Sequence, residues 1–263
     1  TMKTRLIMII ALTIALFSLI LGLGIGMKKA GKTGKEAAET TGSQTDSAKV
    51  AKRVFNLIIL DESGSMSGLE KVCVTGVNET IQTIRSSYEQ LPEQKQYLTF
   101  LTFSTMAGEA FRTHMDMAEI TDVQEYRSES YRPTGGTPLY DAMGLSLTRL
   151  EKNVTDEDIV LVTVITDGYE NSSRDYDSEK LRALIQRLDE KDWVFTYIGA
   201  NQDAVLEAGR LGIRNAMNYD ASQRGTREMW DRENSSRSRF LEGSRKGVSV
   251  KRLKEDYFDK EDK

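Results

Sequence analysis

Three short stretches of this chain carry oxygen-bearing side chains at spacings that could do chemistry. In the first, the apolar run Leu57-Ile58-Ile59-Leu60 ends abruptly in Asp61, and hydroxyls follow at Ser63 and Ser65. In the second, Thr137 follows Gly135-Gly136 and precedes Pro138-Leu139. In the third, a second apolar run ends in Thr166-Asp167-Gly168. The pooled donors are two carboxylates and three neutral hydroxyls, all oxygen. That set suits a hard, octahedral cation such as Mg²⁺, which keeps several waters and takes few protein charges; Mn²⁺ accepts the same ligands. Each stretch alone has a bland reading, since Asp, Ser and Gly are ordinary turn formers.

Composition narrows the alternatives. The 263 residues carry a formal net charge of −4, which does not describe a nucleic-acid binder. A single cysteine, Cys73, excludes an internal disulfide and a cysteine-based zinc site. Its place among apolar residues at helical spacing makes it a small core side chain. A single histidine, His114, lies between Thr113 and Met115 and reads as a strand residue, not as a catalytic base.

The elements that position the three stretches follow from periodicity. Val54–Leu60, Tyr97–Phe103, Asp158–Thr166, Trp193–Gly199 and Ala216–Tyr219 read as buried strands, and Glu109–Met115 as a short edge strand. Between them, Leu69, Cys73, Val77, Ile81, Ile84 and Tyr88 recur at helical steps behind a capping box at Ser67–Glu70. Further helices are expected behind Thr137 (with Leu139, Met143, Leu145 and Leu147), around Leu181–Leu188, over Asp203–Leu211 and over Ser222–Phe240, with a short one near Asp122–Tyr126. Alternating strands and amphipathic helices imply an α/β, doubly wound, mostly parallel sheet with helices on both faces. In such sheets ligands bind beyond the carboxyl ends of the strands, where all three stretches fall.

Residues Leu6–Met27 form an apolar run of about 22 residues flanked by basic residues, long enough to span a bilayer as one helix. An uncleaved anchor over residues 1–27 is preferred to a cleaved signal peptide, since no Ala-x-Ala site closes the run. The expected placement is a single-pass protein of a bacterial inner or plasma membrane, its large domain leaning to the cytoplasmic side. Residues 28–52 read as a flexible linker, 53–220 as the main domain, and 221–263 as a polar helix with a charged tail, frayed from Leu241 onward. Gly26–Thr33 matches the P-loop pattern. A bilayer-length run precedes it and no apolar stripe follows in Gly34–Ser47, so the context a P-loop requires is missing. The sequons Asn78-Glu79-Thr80 and Asn171-Ser172-Ser173 carry little weight.

Asp61-x-Ser63-x-Ser65, Thr137 in Gly-Gly-Thr-Pro-Leu and Thr166-Asp167-Gly168 together resemble the complete metal-ion-dependent adhesion site of von Willebrand factor type A domains. Ile198-Gly199-Ala200-Asn201-Gln202-Asp203-Ala204 looks like bacterial stand-alone members of that family. The resemblance covers about Arg53 to Asp220. It implies a six-stranded sheet with one short antiparallel strand. It also implies that Ser63, Ser65 and Thr137 touch Mg²⁺ directly, while Asp61 and Asp167 act largely through water. The expected function is then non-enzymatic: a membrane-anchored, Mg²⁺-dependent protein-binding module, the metal bridging to a partner's Asp or Glu. Glu62, Met66, Met106, Tyr131, Arg132 and Tyr169 are the candidate rim. Two alternatives stand beside it. One is an enzyme, either a P-loop NTPase or an Mg²⁺-dependent phosphotransferase with Asp61 as nucleophile, although Ser63 stands where the latter needs a second Asp. The other is a type A scaffold with a structural or vestigial metal site.

Overall fold

The computed structural model describes residues 53–107, 110–200 and 204–258. The expected anchor, the linker to residue 52, the P-loop pattern, residues 201–203 and the last residues from 259 lie outside that set. Among the described residues no helix is long and apolar enough to cross a membrane.

Six strands form one sheet in the order β3-β2-β1-β4-β5-β6. They are β1 (Arg53–Asp61), β2 (Lys95–Phe103), β3 (Arg112–Glu119), β4 (Ile159–Thr166), β5 (Val194–Ala200) and β6 (Asn215–Tyr219). All neighbours pair in parallel except β3, which runs antiparallel along the edge of β2. The sheet is therefore mostly parallel and Rossmann-like, as expected, and its single antiparallel strand is the one that the type A resemblance implies. Because the order reverses between β1 and β4, their carboxyl ends flank the switch point, where a crevice opens.

Strand residues alternate between two apolar layers, which is why these runs are buried on both sides. Val54, Ile58 and Leu60 face helix α1 (Glu70–Gln90) and helix α5 (Gln223–Arg245). Phe55, Leu57 and Ile59 face α2 (Leu139–Glu151), α3 (Ser178–Asp189) and α4 (Ala204–Arg210). The stripe read from sequence on α1 is the face that packs, with Cys73, Val77, Ile81 and Ile84 all buried.

Several local expectations are corrected. Ser67 and Glu70 do not form a reciprocal box: the Ser67 hydroxyl donates to Gly64 O, and Glu70 accepts from Gly68 N at 3.1 Å. Gly68 sits at φ +90°, so the chain turns there and the helix starts only at Glu70. The edge strand runs from Arg112 to Glu119, not from Glu109 to Met115. No helix forms near Asp122–Tyr126. The Asn78 side chain instead accepts from Tyr126 N (2.8 Å) and donates to Tyr126 O (3.0 Å), replacing the backbone partners a helix would supply. Leu145 lies on α2 but is exposed. Past Leu241 the chain is not frayed: α5 continues to Arg245 and α6 (Val250–Glu255) follows, with Tyr257 and Phe258 buried behind it.

Candidate metal centre

Asp61, the last residue of β1, is fully buried, and both its carboxylate oxygens are used. Oδ1 accepts from Ser63 N at 2.7 Å, and Oδ2 accepts from the Thr166 hydroxyl at the end of β4 at 2.6 Å. The first bond bends the chain into a tight turn, and the second pins that turn to the neighbouring strand. The Ser63 and Ser65 hydroxyls then lie 3.0 Å apart, and Ser65 Oγ donates to Asp167 Oδ1 at 2.5 Å. Thr137 Oγ1 and Ser65 Oγ converge over Gly168, lying 3.4 and 3.6 Å from the point where a side chain on that residue would begin. All five residues singled out from the sequence thus meet beyond the carboxyl ends of β1 and β4.

Loop hydrogen bonds hold this arrangement. Gly64 N donates to Gly135 O (3.0 Å), which ties the serine turn to the threonine loop. Gly135 has φ +80°, a conformation that favours glycine, and a side chain on Gly136 would displace the Ser172 hydroxyl. Asn171 Oδ1 accepts from Thr137 N at 2.9 Å. The loop after Asp167 is braced in turn by two acids. Glu170 accepts from Tyr140 N, Ser172 N, Ser173 N and the Ser173 hydroxyl, and Asp141 on α2 accepts from the backbone of Arg174, Asp175 and Tyr176. Thr166 was named only as part of its motif, and Asn171, Glu170 and Asp141 were not read from the sequence as supports. Thr166, Asn171 and Asp141 bond across 33 to 105 residues, as does Glu170 to Tyr140 across 30, and no spacing rule reports such pairings.

Three of the expected rim residues are not at the rim. Glu62, Met66 and Tyr131 are buried, because their side chains turn under the loops and not out of them. Met106 (66% exposed) and Tyr169 (54% exposed) do project to solvent, as does Arg132. Val205 and Leu206, also exposed, follow β5 on the same edge of the sheet.

The electrostatics are unbalanced. Burial raises the Asp61 carboxyl to about 6, and the Asp167 carboxylate beside it opposes ionisation further. Burial also raises Asp167, against the Ser65 hydrogen bond. Among the described residues no Lys, Arg or His pairs with either acid. Two close, desolvated carboxylates without a counter-charge favour a bound cation. No group of three or more His, Cys, Asp or Glu side chains placed to share a metal occurs among the described residues. The donor set here is two carboxylates with three hydroxyls, which fits a hard ion that retains waters.

Neither a protein-family model nor a curated protein matches the sequence. Solved structures do match in fold. The pilus adhesin SpaC from Lactobacillus rhamnosus GG aligns at TM-score 0.56 and 13% identity, over 73% of this chain and 31% of that one. The PilB minor pilin from Streptococcus sanguinis aligns at TM-score 0.50 and 10% identity, over 73% of this chain and 62% of that one. Proximal thread matrix protein 1 from the mussel byssus aligns at TM-score 0.50 and 14% identity, over 70% and 46% respectively. This chain therefore spans less than two thirds of each of these proteins. What the chain shares with them at such low identity is the fold alone, an α/β arrangement around a mostly parallel, Rossmann-like sheet.

Proposed function

We propose that this chain is a non-enzymatic, Mg²⁺-dependent protein-binding module in which the ion, held by Asp61, Ser63, Ser65, Thr137 and Asp167, links to a carboxylate of a partner protein. The observation that carries this reading is the convergence of those five oxygen-bearing side chains around two buried acids that no Lys, Arg or His among the described residues pairs with. When bound, a divalent ion supplies Lewis acidity toward one outside oxygen ligand. The residues of the chain do the rest. Three neutral hydroxyls leave the ion's charge only partly offset, and Thr166 and Asn171 fix the acids and the threonine loop in place. The exposed Met106, Tyr169, Val205 and Leu206 give the same edge of the sheet an apolar rim suited to a protein surface. The likeness to a pilus adhesin and a pilin bears on the fold alone, and attachment to a membrane through residues 6–27 rests on the apolar run in the sequence.

The phosphotransferase alternative suits the geometry less well. Asp61 has no exposed surface and both its oxygens are engaged, which makes it a poor nucleophile. The scaffold alternative has one observation in its favour: the Ser65–Asp167 hydrogen bond ties the two segments together directly.

Calorimetric titration of Mg²⁺ and Mn²⁺ into the full chain separates the metal-binding reading from the scaffold. Saturable binding that is lost in both Asp61→Ala and Ser65→Ala is expected. If the wild type takes up neither ion, a pull-down with and without EDTA separates a site completed by a partner's carboxylate, where capture is lost with EDTA, from a scaffold, where it is kept.

A further inference from the structure

The residue after the first aspartate makes contacts that the proposed metal chemistry leaves unexplained. Glu62 is 1% exposed, yet it carries an acid into a loop. Its Oε1 accepts from Arg132 N at 2.6 Å, and its Oε2 accepts from the Thr102 hydroxyl of β2 at 2.5 Å. Its own backbone N donates to Phe103 O and its O accepts from Thr134 N, both at 2.9 Å. The Arg112 guanidinium of β3 stands 3.8 Å from Oε1 and offsets the charge. One residue before Arg132, the Tyr131 hydroxyl donates to Asp61 O at 2.6 Å. All side-chain hydrogen bonds of Glu62 therefore run to β2 and to the loop that carries Thr137, and none runs to Ser63, Ser65 or Asp167.

We propose that Glu62 is a positioning residue: its buried carboxylate holds the Tyr131–Thr137 segment against the Asp61–Ser65 segment, so that Thr137 is in place before a cation arrives. The physical reason is that this loop has no strand ladder of its own. A carboxylate can accept two short, charge-assisted hydrogen bonds from separate elements at once, which no neutral side chain of that size does as strongly. Such supporting contacts set ligand geometry, and their removal typically costs about 10–100-fold in metal affinity. The inference rests on the metal-binding reading for its consequence, but the clamp itself is defined without an ion.

The test uses the full chain as wild type, Glu62→Gln, Glu62→Ala and, as a control, Ile185→Val in the opposite apolar layer. Two quantities are measured: amide hydrogen exchange at Arg132 and Thr134 without metal, and the Kd for Mn²⁺. In Glu62→Ala, exchange at both amides accelerates and the Kd for Mn²⁺ rises about 10–100-fold. Glu62→Gln keeps one acceptor, enough for Arg132 N, but loses the charge and the second acceptor, so both effects fall between those of wild type and Glu62→Ala. Ile185→Val changes neither, which separates a positioning role from general loss of stability. Exchange in Glu62→Ala as slow as in wild type overturns the proposal whether or not Mn²⁺ binds. Fast exchange with an unchanged Kd overturns it as well. If the wild type binds no Mn²⁺, the pull-down with and without EDTA decides the metal reading by itself and the exchange arm still decides the clamp. Should Glu62→Ala not fold, Thr102→Val removes one of the two donors. A smaller change in the same direction supports the clamp, and no change overturns it.

Discussion

His114 shows how a single side chain is defined by what folds over it. Its ring stacks on Phe100, meets Tyr126 edge-on, and shares a 2.9 Å hydrogen bond with Thr102. Burial, with the nearby Arg112 charge, lowers its pKa to about 4. The folded value lies below the unfolded value of about 6.5, so the neutral ring contributes its full stability above about pH 6.5 and loses it as the pH falls toward 4. In the metal-free protein Asp61 acts with the opposite sign, because its raised pKa favours the fold at low pH. Comparing wild type with His114→Gln by thermal unfolding across pH 4–7 isolates the histidine. The variant is expected to lose an acid-side slope of about 1–2 kcal/mol, a figure reduced for solvent screening of the part-exposed ring. A parallel pair of curves would show that the ring titrates alike in the folded and unfolded states and that burial does not shift it. Strand alternation, a local pattern, placed His114 on a strand; the grouping of Asp61, Ser63, Ser65, Thr137 and Asp167 is not a local pattern and came from their expected place at strand ends and from the type A resemblance. The sequence did not reveal Glu62, Asn171, Glu170 or Asp141 as supports. The hydrogen bonds of Glu62, Asn171 and Asp141 that brace the site, and the Glu170 bond to Tyr140, cross 30 to 70 residues, and spacing along the chain does not report such pairings.

Among the elements, those with a dense apolar period were legible and those held by sparse contacts were not. The five parallel strands and helices α1 to α4 were readable because each buries an apolar face at a fixed period. Helix α5 has few apolar residues, and its extent past Phe240 depends on Leu241 and on the aromatic pair Tyr257 and Phe258 folding back over Phe240. The edge strand β3 was misplaced because its exposed outer side removes half of the pattern. The α1–α5 contact turns on Gly76, where a side chain would overlap the Trp230 ring. Gly76→Ala should therefore help the helix intrinsically by about 1 kcal/mol yet force Trp230 to shift, at a cost of about 1–3 kcal/mol. A net loss in urea unfolding is expected, with the Trp230 fluorescence changed. A stabilised variant would mean that α5 can slide along α1 without penalty, and that this helix pair is not a fixed part of the core.

For the molecule as a whole, the question is whether the segment after residue 220 belongs to the domain that carries the site. Among the described residues the core does not stop there: Met229, Trp230, Phe240, Leu241 and Tyr257 share one apolar layer with Val54, Ile58 and Leu161. Inside that layer lies a polar network without solvent contact. Arg237, 0% exposed, donates to Asn56 Oδ1 on β1 (2.7 Å), to Thr163 Oγ1 on β4 (2.7 Å) and to Glu233 Oε1 on its own helix (2.8 Å). Glu233 Oε1 also accepts from Thr163 and from the Tyr257 hydroxyl, each at 3.0 Å. The network thus joins the two central strands, one ending at Asp61 and the other at Thr166 just before Asp167, to the chain's last described helices. Removing one partner leaves a buried charge unpaired, so Arg237→Ala should cost about 3–5 kcal/mol, a large part of the about 5–15 kcal/mol that stabilises a typical domain. Replacing both charges, as Glu233→Leu with Arg237→Met, should recover only part of that loss: the unpaired charge is gone, but Asn56 Oδ1 and the Tyr257 hydroxyl lose these hydrogen bonds while buried. Unfolding curves of the three proteins decide the matter. If Arg237→Ala unfolds in the same single transition at a lower denaturant midpoint, strands and C-terminal helices form one cooperative unit. If it unfolds in two steps, with α5 leaving first, the segment after 220 is an appendage and the site can persist without it.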